Sequence, residues 1–112
     1  MLRENVEMLA RMGMDIHSLY SLGGPSKNPF WCQLKADITG KHVMAAPELE
    51  STSFGAACLV AVAAGYVPDL AQAANTYGSY VEFSPDPDTQ SLYTAKYQQY
   101  QKLMQCAVEF YR

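Results

Sequence analysis

Neither sign of charge gathers into a block anywhere in this sequence. Eight basic and eleven acidic residues, dispersed along 112 positions, give a net charge of −3. That excludes the clustered Lys and Arg on which nucleic-acid binding rests, and it excludes an electrostatic membrane tether. Cysteine is scarce as well. Cys32, Cys58 and Cys106 are odd in number, far apart and in no CxxC arrangement, which fits a reduced intracellular chain better than a disulfide framework. The longest apolar stretch, "FGAACLVAVAAGYV", falls short of the roughly 20 residues that span a bilayer. The N-terminal "MLRENVEMLARM" lacks the apolar core and small-residue cleavage site of a signal peptide. These absences point to a cytoplasmic protein with no nucleic-acid and no membrane partner. Repeats and flexible linkers are also missing, so residues 1–112 read as one unit, a single domain or a fragment. A chain of this size buries only roughly two-thirds of its unfolded surface, and modest stability is expected.

What is present is a regular alternation of elements. Leu2, Val6 and Leu9 recur at helical spacing, and Gly13 supplies a stop. Ile16 to Leu22 is short and apolar-rich, bounded by glycines, and reads as a strand. Asn28 followed by Pro29 is a helix start: Asn caps orphan N–H groups, and Pro needs no N–H at the first helical position. Phe30, Leu34 and Ile38 then share one face up to Gly40. The stretch "KHVMAA" reads as a second strand closed by Pro47, and Ser51 or Thr52 as the cap of a helix over about 53–64 that is rich in Gly and Ala. Pro68-Asp69 opens a short helix. "GSYVEFSPDPDTQ" holds a possible extended segment and a proline-rich turn. Tyr93, Tyr97, Tyr100, Met104, Ala107 and Tyr111 alternate spacings of four and three along a final long helix. Their spacing invites a dimerisation reading, but tyrosines do not resemble an Ile/Leu zipper, and the stripe is expected to pack on its own domain. The fold class is therefore α/β, with two parallel strands, helices and a long C-terminal helix.

The local signal for a site is the glycine pair Gly23-Gly24 between strand and helix. Glycine permits positive φ and close approach of a ligand, and the following helix N-terminus favours an anionic or polar group. The stretch is neither GxGxxG nor a P-loop, so the residues alone leave a plain turn and a ligand loop both open. His17 and His42 stand alone and fit structural or surface roles better than a zinc site. The three cysteines read as small buried hydrophobes. Asp86 and Asp88, with Pro87 between them, fit a turn and helix cap better than an acid/base pair. Gln33 and Asp37, four residues apart on a helix, share one face; they form either a solvated stripe or a pair bracing the glycine loop or a neighbouring segment.

With these residues in view, the chain resembles the C-terminal domain of the FGGY family of carbohydrate kinases, xylulokinase-like and gluconate-kinase-like members in particular. The resemblance rests on "GGPSKNPFWCQLKADITGKHV" and continues through "ESTSFGAACLVAVAAGYVPDLAQAA" and "FSPDPDTQSLYTAKYQQYQKL". It implies part of an actin-like, hexokinase-like (ribonuclease H-like) fold in an enzyme that uses ATP and Mg to phosphorylate a sugar or polyol. Carried over, Gly23 and Gly24 match the glycine pair beside the nucleotide, and Asn28 falls where a polar residue lies near the adenine. Gln33 and Asp37 match motif positions with a bracing role. Pro25 departs from the small residue common after the glycines. The family's phosphate-binding D-x-G-T has no counterpart: "DITG", Asp37 to Gly40, has its letters in another order and ends a helix. The general base and the sugar contacts fall upstream of the matched region. The resemblance thus implies the last portion of a kinase, inactive alone, that meets its sugar through the missing N-terminal part. The alternative is a stand-alone binding or oligomerisation module, with a homodimer as its simplest form.

Overall fold

The computed structural model describes residues 1–47 and 50–111. In chain order it holds α1 (Leu2–Arg11), β1 (Ser18–Leu22), a 3-10 turn (Gly24–Lys27), α2 (Pro29–Thr39), β2 (His42–Ala46), α3 (Ser51–Ala63), α4 (Leu70–Asn75), β3 (Val81–Phe83) and α5 (Pro87–Phe110). β1 and β2 pair in parallel, Ser18 opposite His42 through Leu22 opposite Ala46. The strand, helix, strand alternation leads to this arrangement, because parallel neighbours need a crossover and α2 supplies it.

A third strand corrects the two-strand expectation. β3 runs antiparallel to β2, pairing Val43 with Phe83 and Ala45 with Val81, so the sheet is mixed with the order β1-β2-β3. Three residues are too few for alternation to announce itself in sequence; pairing with β2 makes this segment a strand. The cap of α3 needs correction too. Its N-cap is Glu50, without a side-chain cap bond, and Ser51 and Thr52 lie inside the first turn. Elsewhere the local chemistry works as its residue types dictate. Asn28 accepts the Trp31 N–H ahead of Pro29, Gly40 closes α2 at φ +66°, Asp69 caps α4, and Asp86 caps α5 by accepting the Asp88 N–H.

The core is small. Cys32 and Ala36 of α2 pack on Val43 and Ala45 of β2, with Leu19 and Phe83 at the margin. These inward residues sit at i and i+4 on the helix and at i and i+2 on the strand, as the two periodicities require. Phe30, on the face that the spacing highlighted, is 73% exposed, while Leu34 and Ile38 turn toward α1 and α5 rather than the sheet. The opposite face of the sheet leaves Tyr20 and Leu22 exposed, although parallel pairs are normally covered on both faces.

Two helices carry much of their apolar surface in the open. α3 has no charged residue, yet Leu59 and Val60 are exposed and only Cys58 of the helix is buried. The tyrosine stripe of α5 is packed only in part: Tyr97 is buried, Tyr93 and Tyr100 half-buried, and every residue from Gln101 to Phe110 exposed. The expectation of an intramolecular stripe therefore fails for Met104, Ala107 and Tyr111, and Cys106, expected to be buried, is exposed. A 24-residue helix outruns a sheet whose strands have five, five and three residues. The radius of gyration, 18.0 Å, well exceeds the roughly 13 Å of a compact domain of this length.

Candidate functional site

β1 delivers the chain to Gly23 at the carboxyl end of the parallel pair, the end at which open α/β sheets bind ligands. Gly23 has φ +69° and ψ −156°, a combination essentially restricted to glycine, so a side chain there would be strained whatever the space. Gly24 differs. Its φ is not positive, and a Cβ built on it meets nothing within 4 Å. Neither backbone conformation nor internal packing requires glycine at position 24.

The turn that follows is fastened to the sheet. The Ser26 hydroxyl lies 2.6 Å from the Gly23 carbonyl and 3.1 Å from that of Ala46, and Ser26 is buried. This ties the glycine turn to the last residue of β2. The Cys32 thiol, wholly buried, reaches the Pro25 carbonyl at 3.7 Å. Lys35 donates to the Ser21 hydroxyl at 2.7 Å, joining α2 to β1. Asn28 stands exposed at the head of α2 with its Oδ1 on the Trp31 amide at 3.2 Å, which leaves its NH2 group as the donor facing outward. Gly23, Gly24 and Asn28 thus flank and open one 3-10 turn, held from behind by Ser26 and Cys32. Cys32 is the buried hydrophobe that the sequence predicts, but its contact with the loop and the role of Ser26 are not legible there; only the hydrogen bond from Ser26 shows that β2 ends at Ala46 beside the loop.

Gln33 and Asp37 brace a neighbouring segment, not the glycine loop. Gln33 Nε2 donates to Asp37 Oδ1 and to the Ser84 carbonyl, both at 2.8 Å. Asp37 Oδ1 also accepts the Asp86 amide at 2.9 Å. The buried Asp37 carboxylate therefore fixes the turn between β3 and α5, and "DITG" serves a helix end. His17 pairs with Asp15 at 3.0 Å and His42 with Glu82 at 2.7 Å, all four on the surface. Among the described residues no three His, Cys, Asp or Glu side chains converge as a metal centre would require, and no helix is long and apolar enough to cross a membrane.

At the other end, α1 is stapled to α5. Arg3 pairs with Glu7 at 2.9 Å and lies 4.5 Å from the centre of the Tyr97 ring, while Tyr97 donates to Glu7 at 3.0 Å. Burial, then the hydrogen bond to Glu7 and that residue's negative charge, push the Tyr97 phenol above its usual value.

Comparison with known proteins gives this arrangement its context. The FGGY family of carbohydrate kinases, C-terminal domain, matches residues 1–64, the portion holding α1, the parallel strands, the glycine turn, α2 and α3. An FGGY carbohydrate kinase domain-containing protein of Xenopus laevis is 36% identical over 102 residues, covering 90% of this chain and 18% of that protein. A ribulokinase of Geobacillus thermodenitrificans is 32% identical over 108 residues, covering 90% and 19%. A xylulose kinase of Staphylococcus epidermidis is 29% identical over 103 residues, covering 91% and 21%. The chain thus spans about a fifth of the length of these relatives. With more than half of its residues matched to one domain and relatives of that name along most of its length, the chain belongs to the FGGY family of carbohydrate kinases, within its C-terminal domain.

Proposed function

We propose that the glycine turn is one wall of the nucleotide pocket of an ATP-dependent carbohydrate kinase, and that this chain carries the adenosine side of the site and no catalytic group. The observation that carries the reading is the place of Gly24, directly after the Gly23 turn at the carboxyl end of the parallel pair and ahead of the α2 N-terminus: no conformational or packing reason for glycine is found on its own side, and its missing Cβ leaves room for a ligand against the backbone. Gly23 sets the turn, Gly24 clears the approach, and Asn28 offers its NH2 group to the adenine. The α2 N-terminus adds its partial positive charge. Residues 1–112 would then be a portion of an actin-like fold whose remaining layers supply the general base, the Mg ligands and the sugar contacts. Bound MgATP supplies the γ-phosphoryl group for transfer to a sugar or polyol hydroxyl, a reaction that rests on positioning and charge stabilisation.

The test is a chimera in which this chain replaces the matched fifth of a ribulokinase. Activity with ATP is expected. Gly24→Ala is then expected to raise the KM for ATP about tenfold or more, the scale of about 1.4 kcal/mol of lost binding, with the KM for the sugar unchanged. An active chimera indifferent to Gly24→Ala would sink the nucleotide reading. The exposed half of α5 favours a second reading, a stand-alone interaction module that self-associates as a homodimer; a folded chain that dimerises and binds no nucleotide would favour it.

A further inference from the structure

One residue holds the Gly23 carbonyl twice. The Ser26 backbone N–H donates to it at 3.0 Å, and the Ser26 hydroxyl lies 2.6 Å from it. The same hydroxyl is 3.1 Å from the Ala46 carbonyl at the end of β2, and Ser26 is buried, so bulk water does not compete for these contacts. A trans peptide group is planar, with its C=O and N–H directed to opposite sides, and the chain has no cis peptide bond. Fixing the Gly23 oxygen toward Ser26 and β2 therefore turns the Gly24 N–H away from both. Gly24 opens the 3-10 turn, so its N–H is a donor that a helix start leaves without an internal partner. No backbone acceptor for it is found among the described residues, and the space that a Gly24 Cβ would take is open.

We infer that Ser26 is a positioning residue for the nucleotide: by locking the plane of the Gly23–Gly24 peptide, it aims the Gly24 N–H at an acceptor atom of the bound nucleotide. The inference rests on the nucleotide reading above and adds to it a residue that acts through the two glycines rather than by contact. Consecutive glycines make the lock necessary. With no Cβ on either side, the peptide between Gly23 and Gly24 is free to turn over between conformations that other residues do not reach. A donor oriented only part of the time binds more weakly, because the ligand must pay for ordering it. The Ser26 hydroxyl removes that freedom before the ligand arrives, and its second carbonyl, on Ala46, ties the orientation to the sheet rather than to the loop alone.

The intact chain would be titrated with MgADP and followed by amide NMR, alongside Ser26→Ala and Ser26→Thr. In the parent, the Gly24 amide proton is expected to shift more than that of Gly23, since it is the donor. Ser26→Ala is expected to bind MgADP about five- to tenfold more weakly, the scale of one lost hydrogen bond, while the amides of Val43 and Ala45 keep their positions. Ser26→Thr keeps the hydroxyl and is expected to restore most of the affinity. A serine that served the fold alone would lower stability and leave the affinity of the folded fraction unchanged. The inference is overturned, with the nucleotide reading intact, if folded Ser26→Ala binds as tightly as the parent or if folded Ser26→Thr binds no better than Ser26→Ala. It is overturned without any substitution if the parent's Gly24 amide stays still while Gly23 and Asn28 respond. A parent in which no loop amide responds would instead remove the nucleotide reading, and this inference with it.

Discussion

The half of the molecule around the glycine turn and the half made of α3 and the end of α5 use their residues in opposite ways. Around the turn nearly every polar group has a named partner: Ser26 on two carbonyls, Gln33 and Asp37 on the β3–α5 turn, Asn28 on Trp31. Cys32, Ala36, Val43 and Ala45 are sealed beneath. In α3 and the second half of α5 there is abundant apolar surface and almost nothing on it, with Leu59, Val60, Leu103 and Phe110 all at least 60% exposed. A helix apolar all round belongs in the interior of something larger. The difference teaches that the polar groups and the small core around the turn are satisfied by this chain, whereas α3 and the end of α5 leave most of their apolar surface uncovered among the described residues.

Four comparisons would break or sharpen that contrast. The largest effect is expected from Val43→Asp, which buries an unpaired carboxylate at a wholly sealed position; the cost of several kcal/mol should abolish the cooperative thermal transition. Val60→Asp, on the open face of α3, should move stability by no more than about 0.5 kcal/mol and improve solubility. If both variants unfold, the two halves do not differ as described.

Next in size is the contrast between the glycines. Gly23→Ala should destabilise by about 1–3 kcal/mol because of its backbone conformation, whereas Gly24→Ala should stay within about 0.5 kcal/mol of the parent. Chemical denaturation of both variants measures the pair. Equal losses would remove the reason for assigning Gly24 to a ligand.

Asp37→Ala should cost about 1–3 kcal/mol by leaving the Gln33 amide and the Asp86 N–H without their acceptor. Gln33→Ala added on top should cost less than it does alone, because the two residues share one network. A double-mutant cycle in urea reads the coupling, and strict additivity would mean that they do not brace the turn jointly.

The smallest effect is a pH dependence. The folded-state value of Tyr97 is raised above the unfolded value of about 10 by burial and then by Glu7. Its contribution is therefore fully present below about pH 10 and is lost as pH rises through the folded-state value. Melting curves across that alkaline range should fall more steeply for the parent than for Tyr97→Phe.

Much of this was legible in the sequence where local chemistry decides. Asn28-Pro29, Gly40, Asp69 and Asp86 mark their helix ends because a cap needs only its own neighbours. The parallel pair follows from strand, helix, strand. The family was legible in "GGPSKNPFWCQLKADITGKHV", and the comparisons bear it out. What stayed hidden depends on distant residues: the extended segment expected in "GSYVEFSPDPDTQ" becomes the sheet strand β3 only because Val43 and Ala45 lie beside it, and Ser26 matters only because β2 ends at Ala46. The stripe of α5 misled for the opposite reason. Its spacing records an apolar face truly, but spacing cannot say where the rest of the domain stops, and that face runs past the end of the sheet.

The most direct test of the central claim is amide NMR of the chain titrated with MgADP. The account predicts saturable shifts concentrated on Gly23, Gly24 and Asn28, while amides of α3 and of residues 101–110 stay still. A well-folded sample whose loop does not respond, or whose shifts fall on α3 and α5 instead, would contradict it.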